Sequence, residues 1–242
     1  MKTLGIIGFG AFGRLVATEL AGRYAIGVHD PAINPATLTP MSLAPLSLAA
    51  AAASDLVLLA VPVQVMEATI MAIAPHVRPG ATVIDVASVK VLPSQWLRTH
   101  VPVTTHVVAT HPLFGPQSAA RHGIAGRQLV ICPIRGDRHL RVAAFGESLG
   151  LRVRFSSAED HDREMAYVQA LTHLIGRTLA QMDIPDEALK TQSYQHLLDL
   201  TDLIGTDSFE LFSAIQTANP YAPPVVERFV REATALLAQL RS

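Results

Sequence analysis

Three glycines at fixed spacing constrain this chain more than any other feature. They stand in Gly8-Phe9-Gly10-Ala11-Phe12-Gly13, directly after the apolar run Leu4-Gly5-Ile6-Ile7 and at the head of a helically spaced stretch from about Ala11 to Ala21. In a strand that turns into a helix through this pattern each glycine has a physical task. Gly8 makes the tight turn, Gly10 lets the backbone approach a pyrophosphate, and Gly13 lets helix and strand pack closely. Free N–H groups and the dipole at the helix start then favour an anion. The next apolar run, Ala25 to Asp30, ends on a carboxylate seventeen residues beyond Gly13, where a ribose-binding acid belongs. Glycines alone are a weak signal; strand, glycines, helix and acid in this order predict a dinucleotide cradle. Asp30 favours NAD over NADP, because a carboxylate accepts from ribose hydroxyls and repels a 2′-phosphate, although His29 offers a phosphate partial neutralisation. Small residues in Leu59-Ala60-Val61-Pro62 let a cofactor pass close to Ala60, Val61 and Pro62 at the end of a further strand.

The rest of the first 156 residues repeats this alternation. Apolar runs at Leu56 to Val61, Thr82 to Ala87, Val107 to Thr110, Gln128 to Pro133 and Arg152 to Ser156 read as strands, with helical stretches such as Val63 to Ala74 and Asp137 to Leu149 between them. This is the pattern of a mostly parallel sheet with helices on its faces. The uncharged run between Asp30 and Asp55 holds Pro31, Pro35, Pro40 and Pro45, so it reads as a loop followed by a short Ala-rich helix. From Ser157 the spacing becomes helical throughout, opening on the capping-box pattern Ser157-Ala158-Glu159-Asp160. One long helix to about Met182 is expected, with breaks near Ile184-Pro185, Gly205-Thr206 and Asn219-Pro220. Asn219 as N-cap and Pro220 at the first helical position would start the last helix. The fold class is therefore α/β: a Rossmann-type sheet domain over residues 1–156, then an all-helical domain over residues 157–242.

Composition narrows the partners. Half of the 242 residues are apolar and 16% are charged, enough for a sizeable core, and the formal net charge of −1 gives no reason to expect nucleic acid or an anionic membrane. A single cysteine, Cys132, excludes an intrachain disulfide and reads as a small buried apolar residue; no metal site is expected. Glycines and Arg14 interrupt the amino-terminal apolar stretch too early for a signal peptide, so a cytoplasmic protein without a membrane segment is expected.

Two segments carry chemistry. Asp85-Val86-Ala87-Ser88-Val89-Lys90 ends one strand, and Thr110-His111-Pro112-Leu113-Phe114-Gly115-Pro116 ends the next. Carboxyl ends of strands in an open parallel sheet face the ligand crevice, which puts Ser88 and His111 beside the nicotinamide. Histidine is the natural general base near neutral pH, and a serine hydroxyl can orient it or the substrate. In the helical part Met165, Gln169 and His173 recur at i, i+4 and i+8 with Thr172 alongside. That face could hold satisfied core groups or contact a substrate. His161, near the helix start, reads equally as a capping or a structural residue.

Together these segments resemble the prephenate/arogenate dehydrogenase family over nearly the whole chain: GFGAFG, DVASVK, THPLFGP, EDHDREMAYVQALTH and GTDSFELFSAIQTANP. The resemblance implies NAD(P)-dependent oxidative decarboxylation of arogenate, prephenate or both, giving tyrosine or 4-hydroxyphenylpyruvate. It implies that His111 is the catalytic histidine on the ring hydroxyl with Ser88 as its partner, and that Gln169, Thr172 and His173 lie in the substrate-contacting block. One departure stands out: many prephenate-using members carry a carboxylate-binding arginine where this chain has Leu203. No mutase or regulatory domain is expected at either end.

Two other readings compete. A small Rossmann reductase of the imine reductase or 3-hydroxyacid dehydrogenase type would want a catalytic lysine or tyrosine in the helical part, where Lys190 and Tyr167 lack a matching setting. The other is a non-catalytic NAD-binding sensor. The last helix carries Val225, Val226, Phe229, Ala233, Leu236, Leu237 and Leu240. They either bury within the monomer or, as the resemblance implies, form a homodimer through the helical domains.

Overall fold

The computed structural model describes residues 1–205 and 207–241. It forms two compact units, Met1–Ala158 and the segment from Glu159 onward, dividing two residues beyond the expected boundary at Ser156. The first unit runs β1 (Thr3–Ile7), α1 (Ala11–Glu19), β2 (Ala25–His29), β3 (Ala44–Pro45), α2 (Leu48–Ala52), β4 (Leu56–Leu59), α3 (Val63–Ile73), β5 (Thr82–Asp85) and α4 (Val91–His100). It continues with β6 (His106–Pro112), α5 (Pro116–His122), β7 (Gln128–Arg135), α6 (Arg138–Ser148) and β8 (Arg152–Phe155).

The strands make one eight-stranded sheet of order β3-β2-β1-β4-β5-β6-β7-β8. The order reverses at β1, whose neighbours are β2 and β4, and this switch point opens a crevice at the carboxyl ends of the strands. Registers align Ile6 with Val28 and Leu58, Leu58 with Ile84, and Ile84 with Val108, a continuous apolar row on one face. Ile6 and Val108 are fully buried there, each such side chain contributing about 1.5–3 kcal/mol.

The structure corrects the sequence reading in several places. A short edge strand, β3, lies inside the run expected to be a loop; it adds to β2, with Leu46 N–H donating to Val28 O at 2.7 Å. An edge tolerates Pro45 because a missing N–H costs nothing on the side facing away from the sheet. β6 and β7 are longer than expected and antiparallel, because the connection through α5 returns along the same end of the sheet instead of crossing it. β5 stops at Asp85 instead of Ala87, since the Asp85 carboxylate accepts the Ala87 N–H at 3.0 Å and closes a turn.

The second unit contains α7 (Ala158–Met165), a π-helical turn (Ala166–Leu171), α8 (Thr172–Gln181), α9 (Gln192–Ile204), α10 (Phe209–Thr217) and α11 (Ala222–Gln239). The expected long helix is therefore continuous but wider for one turn, which changes which residues share a face. Of the expected Gly205-Thr206 break, Gly205 caps α9 and Thr206 lies outside the described residues. Asn219 does not cap the last helix. Its amide donates to Asp162 O at 2.7 Å and its Oδ1 accepts from Tyr221 N–H at 2.9 Å, so the chain makes a turn first and α11 starts at Ala222. Ala170, Ile215 and Ala222 form the buried centre where the π turn, α10 and α11 meet.

Candidate active site

The glycine loop leaves β1 with Gly8 at φ +92°, and a Cβ there would stand 2.5 Å from Ala60 O. Gly13 is equally constrained, because a Cβ would meet Gly8 O at 2.3 Å. A Cβ on Gly10 would meet nothing within 4 Å, so this loop presents open space on the side where a pyrophosphate would approach. Asp30 does more than the sequence suggests. Its Oδ2 accepts the Phe9 N–H at 2.7 Å and its Oδ1 the Ala32 N–H at 2.9 Å. The carboxylate thus pins the loop from the end of the neighbouring strand and keeps lone pairs for a ribose hydroxyl. His29 turns its Nδ1 to Leu46 O at 3.1 Å, holding β2 to the edge segment. Ala60 follows β4, with its N–H donating to Ile7 O at 2.8 Å, so Ala60, Val61 and Pro62 flank the glycine turn. These residues suit a dinucleotide: a bare backbone loop opening a helix, small neighbours and an acid at the adjacent strand end.

Beside this cradle, β5 and β6 carry Ser88 and His111. His111 belongs to the end of β6, opposite Val130, and is buried, while Ser88 is half-buried in the turn after β5. What joins the two segments is a residue the sequence reading passed over. Lys90 is fully buried; its Nζ pairs with Asp85 Oδ1 and donates to Thr110 O at 2.7 Å. Thr110 Oγ1 donates in return to Asp85 O at 2.6 Å. The Ser88 turn is therefore bracketed by Asp85 and Lys90, both tied to the residue preceding His111. The signal was present as an acid and a lysine in one short segment, but only strand pairing shows that they face each other. Phe114, past β6, meets Phe12 of α1 at 6.4 Å between ring centres, linking this edge to the glycine helix.

In the helical unit Gln169 lies in the π turn and His173 in the first turn of α8. Gln169 Oε1 and His173 Nδ1 are both buried, and neither takes a hydrogen bond among the described residues. Burial lowers the His173 pKa to about 4, so the ring is neutral at pH 7. Its Nδ1 lies 3.6 Å from Asp207 Oδ2, too far for a hydrogen bond, and a neutral ring makes no ion pair there. Burial also raises the Asp207 carboxyl, which Arg177 opposes. The Arg177 guanidinium itself is occupied, donating to Asp207 O at 3.2 Å and lying over the rings of Phe209 and Phe212. Thr172 turns its hydroxyl back to Tyr167 O at 3.5 Å, across the π turn. His161 is buried with Nδ1 2.8 Å from Asp162 Oδ1, the same residue whose carbonyl anchors Asn219. Of the rival catalytic groups, Tyr167 is exposed and Lys190 pairs with Asp186, four residues before it in the loop between α8 and α9.

Residues 41–150 match a family model described as the nucleotide-binding domain of prephenate dehydrogenase, and residues 178–242 match one described as a TYRAAT1-like C-terminal domain. A probable arogenate/prephenate dehydrogenase of Methanocaldococcus jannaschii is 31% identical over 76% of the chain and 43% of its own length. Arogenate dehydrogenase 1 of Arabidopsis thaliana is 30% identical over 99% of the chain and 39% of its own length. The chain belongs to the prephenate/arogenate dehydrogenase family. It spans less than half the length of these two dehydrogenases. Among solved structures, Aquifex aeolicus prephenate dehydrogenase in complex with hydroxyphenyl propionate and NAD+ superposes with a TM-score of 0.76 at 22% identity, over 99% of this chain and 91% of that one. Synechocystis arogenate dehydrogenase gives 0.67 at 20% identity, over 98% and 90%. At those identities the superpositions establish the fold, a Rossmann-like sheet followed by helices.

Two predictions come from this geometry. Lys90→Met should destabilise the protein by about 3–5 kcal/mol in urea unfolding, because it leaves the buried Asp85 without its main counter-charge. A change below about 1 kcal/mol would show that the pair does not hold the site. The second concerns His173, whose folded pKa lies below its unfolded value of 6.5. Between pH 6.5 and 4 the unfolded chain binds the extra proton, so stability falls as pH falls, by on the order of 3 kcal/mol in total from this group. Asp207, with its raised pKa, works in the opposite sense at the acid end. His173→Leu should flatten the pH dependence of the unfolding midpoint between pH 6.5 and 4; an unchanged slope would rule out a buried neutral imidazole.

Proposed function

We propose that this chain carries out NAD-dependent oxidative decarboxylation of arogenate, and of prephenate, with His111 as general base. The observation that carries the reading is the clamp that fixes Ser88 and His111 at the carboxyl ends of β5 and β6, on the edge that also bears the glycine loop. The relatives' names supply the substrate class, and the A. aeolicus structure holds NAD+ and a hydroxyphenyl acid.

Bound NAD supplies a hydride acceptor. Gly10, Ala11, Phe12 and Gly13 would hold its pyrophosphate through the backbone N–H groups that open α1, Gly8 and Phe9 would shape the turn with their own N–H groups given to His29 O and Asp30, and Asp30 would receive its ribose. His111 draws the proton from the substrate's ring hydroxyl, and Ser88 orients the imidazole or that hydroxyl. Loss of the ring carboxylate as carbon dioxide yields an aromatic ring, so the side chains need only orient the substrate and accept one proton. Gln169 and His173 contact the substrate with polar atoms that have no protein hydrogen-bond partner among the described residues. Arogenate carries an ammonium where prephenate carries a keto group. Leu203 supplies no cation, Arg177 is engaged, and the Asp207 carboxylate beside His173 attracts an ammonium, so arogenate is used at least as well as prephenate.

The test is reduced-nicotinamide absorbance with each substrate in turn, comparing kcat/KM at one pH. Arogenate should equal or exceed prephenate; a prephenate preference above roughly tenfold, about 1.4 kcal/mol, would overturn the specificity, and no turnover of either would overturn the function. His111→Asn should leave NAD affinity nearly unchanged and lower kcat by roughly 10²–10⁴.

Asp30 makes the protein NAD-selective, and its loop contacts extend what a substitution should do. Asp30→Ser should raise the KM for NAD and shift the NAD/NADP ratio of kcat/KM toward NADP, since it removes an acceptor, a loop clamp and a charge that repels 2′-phosphate. Wild-type preference for NADP would refute the assignment.

The helical unit forms a homodimer. Phe229, Val230, Leu236 and Leu237 on α11 are exposed instead of buried within the chain, an apolar surface that a second copy would cover. Sedimentation should give twice the 25.9 kDa chain mass at micromolar protein, and a monomer alone would exclude it.

A further inference from the structure

At the amino ends of β1, β4 and β5, opposite the edge that bears the glycine loop, the sheet is not fully covered. The helices that follow β4 and β5 pack together on one face. On the other face α1 follows β1 and α6 packs over β6, β7 and β8, leaving a strip between them. That strip is a cavity of about 450 Å³, within the range that holds small molecules. Its floor is Leu4, Leu56, Leu58, Thr82 and Ile84, neighbouring residues of one sheet face by strand register. Val16 and Leu20 of α1 form one wall, Val142 and Phe145 of α6 the other. Tyr24 meets Phe145 edge-on at 5.8 Å between ring centres.

The lining carries four cations, Lys2, Arg78, Arg138 and Arg141, against one carboxylate, Asp55. Asp55 is already engaged, accepting Thr3 N–H at 2.9 Å and Thr3 Oγ1–H at 3.0 Å. Those bonds, with Arg78 and Lys2, hold its carboxyl below the usual range. In a chain with net charge −1, this concentration of positive charge around an apolar hollow is local to the cavity.

We propose that this cavity binds a small amphipathic anion, with its apolar body on the Leu4–Leu58–Ile84 floor and a carboxylate or phosphate head among Arg78, Arg138, Arg141 and Lys2. The guanidinium groups suit either head, because both offer paired oxygens to a planar fork. The site is separate from the cofactor edge, so it is read by binding and stands whether or not the dehydrogenase reading does.

Isothermal titration with 4-phenylbutyrate and with 2-phenylethyl phosphate, with and without saturating NAD, tests it; 4-phenylbutylamine and 4-phenylbutanol carry similar bodies without the negative charge. Saturable one-to-one binding of either anion, unaffected by NAD and weakened by roughly tenfold or more in Arg78→Glu and in Arg141→Glu, is expected. Arg78→Gln and Arg141→Gln should shift affinity in the same direction, which guards against a fold disturbed by charge reversal. The site is overturned if neither anion saturates at millimolar concentration, if the amine or alcohol binds equally well, if NAD displaces the anion, or if the arginine variants bind as the wild type does.

Discussion

The ammonium of Lys90 sits where water does not reach it, and an ion in that position persists only if the fold brings it a counter-charge and acceptors. Asp85 supplies the charge and Thr110 O an acceptor, one on each of two neighbouring strands. Satisfying the lysine therefore fixes the end of β5 relative to the end of β6, and the two segments that carry Ser88 and His111 have little freedom left.

A second carboxylate works in the same way on the other side of the switch point. Asp30 holds the Phe9 N–H, so the strand end that offers a ribose acceptor also sets the shape of the phosphate loop. The carboxylate holds the loop in shape before a ligand arrives. The helical unit is built on the opposite principle. Gln169 Oε1 and His173 Nδ1 are buried without a hydrogen-bond partner among the described residues, an arrangement that carries a desolvation cost.

Much of this was legible in residue order. The glycine spacing, the acid at the end of β2 and the change of periodicity at Ser157 each reflect a local rule: left-handed φ at Gly8, a strand end, a 3.6-residue repeat. Where the reading failed, a distant partner had intervened. Asn219 looked like a helix cap, but its amide is drawn to Asp162 O, 57 residues away. β3 looked like a loop because nothing in Ala44-Pro45 announces an edge strand without β2 beside it. The uniform helical spacing from Ser157 gave no sign of the π turn at Ala166–Leu171.

The sequence by itself determined the sheet-then-helix order, the nucleotide cradle and the residue types at the ends of β5 and β6, because these depend on neighbours within a few positions. Tertiary structure alone decided that β6 and β7 run antiparallel, that Lys90 reaches Thr110 O, and that α1 and α6 leave a cation-lined hollow between them. These depend on which strands lie side by side and which face each helix covers. Pairing energy between strands is settled by long-range packing and hydrogen bonding, which a one-dimensional pattern does not encode.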